Sequence, residues 1–253
     1  MRAMVLAAGL GTRLRPLTND RPKALVEVSG RTLLEITLAR LREFGITEVI
    51  VNAHHFADKL SDYLKANANF GMRIELSRED ILLDTGGGLK KAAWFFLENS
   101  GAREEPFILH NVDVISNIDL SRMVAGHTGA NALVTLAVQQ RKSSRYLLFD
   151  EELQLSGRRS GGAAHPRDER VRSSGKLQAL AFSGIHVISP RIFSKMAEAG
   201  VFSIIDCYLR LAAEAEKILA FPADEYSWRD LGKPEDLRKA EQEFHAGRPD
   251  HWY

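Results

Sequence analysis

The chain opens with the stretch that decides its fold, Met1-Arg-Ala-Met-Val-Leu-Ala-Ala-Gly-Leu-Gly-Thr12. The run from Arg2 to Ala8 is short and apolar, which predicts a buried strand. A loop with Gly9 and Gly11 follows, and glycines let backbone N–H groups turn toward a bound anion without a Cβ in the way. The stretch therefore predicts a strand that runs into an anion-binding loop.

Cationic side chains follow this loop closely. Arg13 and Arg15 come directly after Thr12, and Lys23 follows Pro22, which stiffens the approach. A guanidinium presents a planar fork of donors that matches phosphate oxygens. The strand, the backbone N–H groups and two or three cations together indicate a polyphosphate site.

Two common phosphate-binding motifs do not fit this loop. The dinucleotide fingerprint G-x-G-x-x-G needs a third glycine where this chain has Leu14, and Pro16 disfavours a helix that starts at the second glycine. The ATPase type of loop needs G-K-[S/T], which the sequence lacks. A nicotinamide oxidoreductase and a P-loop ATPase are therefore disfavoured.

The segment from Leu6 to Lys23 closely resembles the signature of the nucleotidyltransferases that act on sugar 1-phosphates, Leu-Ala-Ala-Gly-x-Gly-Thr-Arg-Leu-x-Pro-Leu-Thr followed by Pro-Lys. The resemblance implies that a nucleotide passes from an NTP to a sugar 1-phosphate with release of pyrophosphate. It implies catalytic roles for Arg13 and Lys23. The nucleotide-binding residues that it implies in this segment are Ala8, Gly9, Gly11, Thr12, Arg13 and Lys23.

The composition is that of an ordinary globular protein. The 253 residues are 45% hydrophobic and 26% charged, and a net charge of +1 provides no global field toward nucleic acid or a membrane. Cys207 is the only cysteine, which fits a reducing compartment, and its apolar neighbours predict a buried side chain rather than a catalytic thiol. No apolar run approaches the roughly 20 residues of a membrane span. We therefore expect a cytoplasmic protein whose partners are small molecules. We expect a monomer or a weak homo-oligomer, in which Phe95-Phe96 and His251-Trp-Tyr253 are the apolar candidates for a contact between copies.

Strand and helix patterns alternate along the first half of the chain. This alternation predicts an α/β fold, a Rossmann-like three-layer sandwich with a mostly parallel central sheet. We expect residues 1–253 to form a single nucleotidyltransferase domain, with a nucleotide-binding half at about 1–115 and a sugar-phosphate-binding half at about 116–253. The basic, Gly- and Ser-rich segment from Gly157 to Gly175 predicts an exposed loop. No hexapeptide repeat is present, so a second acyltransferase activity is not expected.

A second glycine-rich stretch, Leu83-Asp-Thr-Gly-Gly-Gly-Leu89, predicts a loop that enters a helix at about Leu89. Three glycines allow close approach of a flat ligand, and a helix N-terminus favours negative charge. In the family that the chain resembles, this Thr-Gly-Gly contacts the nucleobase. The resemblance therefore implies nucleotide-binding roles for Thr85, Gly86 and Gly87.

Two aspartates are the candidate metal ligands. Asp113 ends an apolar strand in Leu109-His-Asn-Val-Asp113, with Val112 where the family usually has glycine. Asp230 lies in Trp228-Arg-Asp-Leu-Gly-Lys-Pro234, which resembles the late Trp-x-Asp-x-Gly-x-Pro pattern whose aspartate is the second metal ligand. The resemblance implies Mg²⁺ as the cofactor, held by both carboxylates, while ordinary turn residues are the alternative.

Candidate residues for the sugar phosphate are less distinctive. Asn111 could donate to a sugar hydroxyl or phosphate, and Gly184 matches a family strand that lines the sugar pocket. A basic cluster of Arg141, Lys142 and Arg145 could meet the sugar phosphate or be solvated surface charge. The histidines His54, His55 and His110 lack a metal-binding spacing and are interpreted as structural.

The implied reaction needs no general base. The attacking phosphate oxygen is already largely ionised at neutral pH, because its second pKa is about 6. The remaining task is to bring two anions together and to stabilise charge at the α-phosphorus. Lys23 would neutralise the phosphate pair, while Arg13 and the N–H groups of Gly11 and Thr12 would hold the departing pyrophosphate.

Several substrates and roles remain open at this point. The chain resembles short N-acetylmuramate 1-phosphate uridylyltransferases most, which implies nucleotide-sugar synthesis for the cell wall. Mannose or heptose 1-phosphate guanylyltransferases match nearly as well. A phosphocholine cytidylyltransferase would need an aromatic cage, of which the sequence gives no sign. A non-catalytic regulator that binds nucleotide-sugars would be expected to have lost Arg13, Lys23 or an aspartate, and this chain retains them.

Overall fold

The computed structural model describes residues 1–98, 105–161, 166–172 and 175–245. Within them the strands, in chain order, are β1 (Arg2–Leu6), β2 (Glu27–Val28), β3 (Arg31–Thr32), β4 (Glu48–Ala53), β5 (Arg73–Arg78), β6 (Phe107–Asn111), β7 (Val114–Ser116), β8 (Val134–Gln139), β9 (Tyr146–Phe149), β10 (Leu155–Ser160), β11 (Arg167–Arg170), β12 (Gln178–Ile188), β13 (Ile218–Pro222) and β14 (Trp228–Asp230). The α-helices are α1 (Leu33–Glu43), α2 (Ala57–Ala66), α3 (Asp84–Lys91), α4 (Ala93–Leu97), α5 (Leu120–Gly129), α6 (Ile204–Ala213) and α7 (Pro234–His245).

The apolar run at the start of the chain lies in the middle of a sheet. β1 pairs in parallel with β4 on one side and with β6 on the other, and β5 continues the parallel series beyond β4. The long strand β12 then runs antiparallel to β6, and β8 and β13 extend the sheet from it. Parallel strands bring their carboxyl ends to one edge, so the loops after β1, β4 and β6 meet there.

Apolar side chains cover both faces of this sheet. Along β1, Ala3 and Val5 are buried in one core cluster while Met4 is buried in the other, as the two-residue period of a strand requires. α1 packs Leu38 into the first cluster, and α6 packs Tyr208 into the second. The predicted three-layer α/β architecture is therefore confirmed.

The segment from Gly157 to Gly175 contains strands, so its prediction as an exposed loop was wrong. β10 pairs antiparallel with β9 and with β11, and β9 pairs with the first residues of β12. The strands are polar because ion pairs replace apolar contacts across them. Arg158 Nε lies 2.7 Å from Glu169 Oε2, and Arg159 Nε lies 2.6 Å from Asp168 Oδ1.

The apolar candidates for a contact between copies also need correction. Phe95 and Phe96 are buried in the core, where Phe96 stacks on Phe107 with ring centroids 3.9 Å apart. The segment His251-Trp-Tyr253 lies outside the described residues. Cys207 is buried as predicted, and burial raises the pKa of its thiol to about 12. None of the described helices is long and apolar enough to cross a membrane.

Two histidines on neighbouring strands are buried without charge. Burial lowers the pKa of His186 to about 3, with a smaller contribution from His110, and burial lowers the pKa of His110 to about 4. His186 Nδ1 lies 3.0 Å from the hydroxyl of Tyr208. Both rings therefore stay neutral in the folded protein at a pH where an unfolded histidine is protonated.

We predict that the free energy of unfolding falls as the pH drops from about 6.5 to about 4, because only the unfolded chain takes up these protons in that window. His186→Gln should make this dependence shallower, whereas His55→Gln, at an exposed position, should leave it unchanged. Urea unfolding at several pH values measures the slopes. Identical slopes for wild type and His186→Gln would contradict the assignment.

Candidate active site

A cleft opens where the carboxyl ends of β1, β4 and β6 meet. It encloses about 480 Å³. Its lining residues include Ala8, Gly9, Lys23, Asn52, Leu82, Asp84, Thr85, Asn111, Asp113 and Val201. The structure therefore brings together predicted residues from four separate segments at the edge where open α/β sheets bind ligands.

The first glycine-rich loop turns tightly at Gly11. Its φ of +63° is in the left-handed region, and a Cβ there would lie 2.8 Å from Thr18 Cγ2. The Thr18 hydroxyl donates to the Gly11 carbonyl at 2.9 Å, which closes the loop on itself. Thr12 and Arg13 remain exposed at the start of a short 3-10 helix, Thr12–Leu14. Glycine is thus required at this position by both the backbone conformation and the packing.

Lys23, Asp113 and Asp230 form the charged centre of the cleft. The Lys23 ammonium forms an ion pair with Asp113 Oδ2, and their side chains are only 11% and 17% exposed. The pairing of β7 with β14 sets Asp230 opposite Val114, the residue after Asp113. The Leu231 N–H donates to the Asp113 carbonyl at 2.8 Å, which fixes the two segments side by side.

The second carboxylate is held in unfavourable surroundings. Burial, and next the neighbouring Asp113, raise the pKa of the Asp230 carboxyl above its usual value. The Gly232 N–H donates to Asp230 Oδ1 at 2.7 Å. A Cβ at Gly232 would lie 2.6 Å from Arg13 Nη2 and 2.7 Å from Asp230 Oδ1, so glycine lets Arg13 approach this carboxylate.

The donor set of the centre suits a hard divalent cation that shares its coordination with phosphate. Asp113 and Asp230 supply carboxylate oxygens, the ligands that Mg²⁺ prefers, and Mg²⁺ is commonly held by one or two carboxylates plus substrate phosphates. Within the described part of the chain, no group of three or more His, Cys, Asp or Glu side chains could hold a metal ion. Two carboxylates with room for phosphate therefore fit a cation that arrives with its substrate.

The second glycine-rich stretch lies inside a helix rather than before it. α3 begins at Asp84, not at about Leu89, because the chain around Phe202 provides partners for the first turn. The Gly86 and Gly87 N–H groups donate to the Phe202 carbonyl at 3.0 and 3.3 Å. Asp84 and Thr85 line the cleft, whereas Gly86 and Gly87 are buried behind its wall.

The glycines of α3 are required by packing within the protein. A Cβ at Gly87 would overlap the Gly200 carbonyl oxygen, and a Cβ at Gly86 would overlap the Phe202 ring. From the sequence, we expected these glycines to let a flat ligand come close to the backbone. The structure shows that the protein itself already makes such an approach, through Phe202 at Gly86 and through the Gly200 backbone at Gly87.

We predict that Gly87→Ala destabilises the protein by about 1–3 kcal/mol, the usual cost of overpacking a filled site. The matched control is Gly126→Ala in α5, where a Cβ meets nothing within 4 Å. That control should be stabilising by up to about 1 kcal/mol because alanine favours helix. Thermal or urea unfolding of both variants tests the difference, and a Gly87→Ala protein as stable as the control would refute it.

On the other side of the cleft, Asn111 and Gly184 are in contact. A Cβ at Gly184 would lie 2.9 Å from Asn111 Nδ2 and 2.8 Å from Val114 Cγ2, and its φ of +76° also favours glycine. Gly184 lies in a register shift of β12 between Phe182 and His186. Val112 is 3% exposed and packs in the core, so the residue that replaces the usual glycine fills internal space.

Sequence reasoning missed a buried network that joins the two nucleotide-side segments. The Asn52 carboxamide accepts from the Ala7 N–H at 2.7 Å and donates to Glu79 Oε1 at 2.7 Å. Glu79 Oε2 accepts from the Leu83 N–H at 3.0 Å. The sequence signal was Asn52, a polar residue near the end of the apolar strand β4. Its partner Glu79, which directly follows β5, could be identified only from the pairing of β4 with β5.

The basic cluster divides in the structure. Arg141 stacks on Trp228 next to the cleft, whereas Lys142 and Arg145 are exposed. His110 is buried and His55 is exposed, and His54 Nδ1 lies 2.8 Å from the Glu79 carbonyl. These histidines are therefore structural or peripheral to the charged centre.

This fold and this site define a nucleotidyltransferase of nucleotide-sugar synthesis. The chain belongs to the nucleotidyl transferase family, whose model matches residues 2–247. The resemblance stated from the sequence is therefore confirmed, and so is its assignment to the enzymes that act on sugar 1-phosphates.

Two relatives illustrate the range of the family. The chain is 35% identical over 246 residues to the N-acetylmuramate alpha-1-phosphate uridylyltransferase of Caulobacter vibrioides, covering 94% of this chain and 95% of that protein. It is 30% identical to the mannose-1-phosphate guanyltransferase beta-B of Xenopus laevis, covering 94% of this chain but 62% of that protein.

Solved structures show the same fold. HddC from Yersinia pseudotuberculosis superimposes with a TM-score of 0.76 at 23% identity, covering 96% of this chain and 99% of that one. A UDP-glucose pyrophosphorylase complexed with UDP-glucose gives 0.73 at 19% identity, covering 98% and 99%. At these identities the likeness establishes the fold alone.

Proposed function

We propose that the protein joins UTP to N-acetylmuramate 1-phosphate, releasing pyrophosphate and giving UDP-N-acetylmuramate. The observation that carries this proposal is the set of Lys23, Asp113 and Asp230 at the carboxyl edge of the sheet, with Arg13 beside it. The choice of substrates is supported by the 35% identity to the Caulobacter uridylyltransferase over 95% of its length.

The proposed reaction is a direct displacement at the α-phosphorus of UTP. An oxygen of the sugar phosphate forms the new P–O bond, the bond to the bridging oxygen of the β-phosphate breaks, and the electron pair leaves with pyrophosphate. No proton has to be removed from the nucleophile, since its second pKa is about 6. Lys23 lowers the repulsion between the two phosphates, and Arg13 holds the departing pyrophosphate.

We assign the cofactor and the remaining contacts in the same way. Asp113 and Asp230 would hold Mg²⁺, which would supply positive charge to offset that of the reacting phosphates. Residues at about 1–115 would bind the nucleotide, with contacts from Ala8, Gly9, Gly11, Thr12, Arg13, Lys23 and Thr85. Gly86 and Gly87, which are buried, would contribute by letting the start of α3 pack so that Thr85 faces the cleft. Residues at about 116–253 would bind the sugar phosphate, with Gly184 acting beside Asn111. The chain would work in the cytoplasm, as a monomer or a weak homo-oligomer.

A second candidate is GTP with mannose or heptose 1-phosphate. The 30% identity to the Xenopus guanyltransferase favours it, although the chain covers only 62% of that protein. A regulator that binds nucleotide-sugars without turnover is a further alternative. Substrate turnover distinguishes all three.

The first experiment measures pyrophosphate release with Mg²⁺ across the four NTPs and a panel of sugar 1-phosphates. We predict the highest rate with UTP and N-acetylmuramate 1-phosphate, and its loss in Asp113→Asn. A highest rate with GTP and mannose 1-phosphate would support the second candidate. No turnover with any pair, together with tight nucleotide-sugar binding by calorimetry, would support the regulator.

We predict that Arg13→Ala and Lys23→Ala each lower kcat by at least about 10²–10³, the usual loss when one preorganised donor is removed. Arg21→Ala provides a matched control in the same segment, because this exposed arginine forms an ion pair with Asp20 alone among the described residues, at 3.0 Å. Stopped-time assays of pyrophosphate measure all three variants, with circular dichroism to show that they fold. Near-normal turnover in Arg13→Ala or Lys23→Ala would exclude the proposed roles.

A further inference from the structure

A second cavity, which we call the basic groove, is formed by the segment between β8 and β9 together with residues of β10 and β12. It encloses about 690 Å³ and is lined by Arg141, Lys142, Tyr146 and Arg159 among others. Arg159 is already neutralised, since its guanidinium makes two hydrogen bonds to Asp168 at 2.6 and 2.8 Å. Arg141 is the cation of this groove that also stacks on Trp228, which lies on β14 with Asp230.

The Arg141 guanidinium is held in a fixed orientation. Its central carbon lies 3.7 Å from the centroid of the Trp228 ring, and its Nη2 donates to the Phe182 carbonyl at 2.6 Å. The Trp228 indole N–H donates to the next carbonyl, that of Ser183, at 2.7 Å. Two consecutive carbonyls of β12, at the register shift beside Gly184, therefore orient the stacked pair.

Within the described ranges of the chain, no carboxylate contacts the Arg141 guanidinium directly. Among the described residues none forms an ion pair with Arg141, and its Nε is buried without a hydrogen-bond partner. Burial lowers the pKa of this guanidinium, so its surroundings disfavour the charge that it carries. The buried Nε is out of a ligand's reach, but Nη1 is not buried and has no hydrogen-bond partner among the described residues, so this donor is suited to an anionic ligand.

The position of Arg141 relative to Asp230 limits which anion it can meet. Trp228 and Asp230 are two residues apart on β14, so their side chains share a face and their backbones are separated by about 6–7 Å. A sugar ring that extends along β14 from a 1-phosphate at Asp230 would reach Trp228. Arg141, stacked on that tryptophan, then lies across the ring from the 1-phosphate.

We propose that Arg141, clamped on Trp228, binds a carboxylate carried by the sugar ring, so that the substrates of this site are acidic sugar 1-phosphates. The proposal rests on the proposed function, whose sugar, N-acetylmuramate, carries a lactyl carboxylate as an ether on the ring. The basic groove provides space for this substituent beyond the ring.

The test compares two sugars that differ only in the lactyl group, N-acetylmuramate 1-phosphate and N-acetylglucosamine 1-phosphate, each with UTP. We expect wild type to prefer the acidic sugar. Arg141→Ala should lower kcat/KM for that sugar by about 10- to 100-fold, the range for a hydrogen bond to a charged group, mainly through KM. The loss with the neutral sugar should be much smaller, so the ratio between the sugars collapses.

Two further variants test whether positive charge alone is sufficient and whether the effect is specific to the basic groove. Arg141→Lys keeps the charge but loses the planar fork and stacking, and it should restore part of the preference. Arg145→Ala, a neighbouring exposed arginine that does not line the basic groove, should leave the ratio unchanged. Turnover of the neutral sugar by Arg141→Ala shows that this variant folds.

The outcomes distinguish this inference from the proposed function. Wild-type activity with an Arg141→Ala loss that is equal for both sugars would overturn the inference alone and assign Arg141 to the shared 1-phosphate. An unchanged ratio in Arg141→Ala, or a wild-type preference for the neutral sugar, would also overturn it. Wild type that is inactive with N-acetylmuramate 1-phosphate would overturn the proposed function and the inference with it.

Discussion

The repulsion between two carboxylates in a partly buried place is the constraint around which the site is built. The pairing of β7 with β14 sets Asp113 and Asp230 side by side, and burial already disfavours the charged form of Asp230. Such a pair needs positive charge nearby. Lys23 supplies it by direct contact, and Arg13 approaches the other carboxylate across Gly232. The same two cations are the groups that would meet phosphates, so the charge arrangement of the free protein is suited to substrates that bring a divalent cation with them.

The sheet explains why this centre has two different sides. On one side, parallel strands bring the first glycine-rich loop and the start of α3 together, and the buried Asn52–Glu79 network links them. On the other side, the antiparallel strand β12 shifts register at Gly184 and turns its carbonyls toward Trp228 and Arg141. A rigid set of internal hydrogen bonds thus supports one side of the centre. On the other side lies the Arg141 guanidinium, held by Trp228 and the Phe182 carbonyl and without an ion-pair partner among the described residues.

Sequence-based predictions were correct where the local residue pattern and the tertiary structure favour the same conformation. The signature from Leu6 to Lys23 identified the family, and the rule that ligands bind at the carboxyl ends of parallel strands placed Asp113 beside Lys23. The pairing of β7 with β14 could not be read from two short segments far apart in the chain. The strands β10 and β11 were missed because cross-strand ion pairs such as Arg158 with Glu169 replace the apolar alternation that marks a strand.

The central claim is that the sugar phosphate attacks the α-phosphorus directly, while Lys23 and a cation held by Asp113 and Asp230 would neutralise the phosphates. Exchange of labelled pyrophosphate into UTP by the wild-type protein tests it most directly, because exchange requires the bond between the α- and β-phosphates to break and re-form. Direct displacement predicts exchange only when sugar 1-phosphate or the nucleotide-sugar is present with Mg²⁺. Exchange with UTP alone would indicate a covalent nucleotidyl-protein and contradict the account, as would the absence of exchange under every condition.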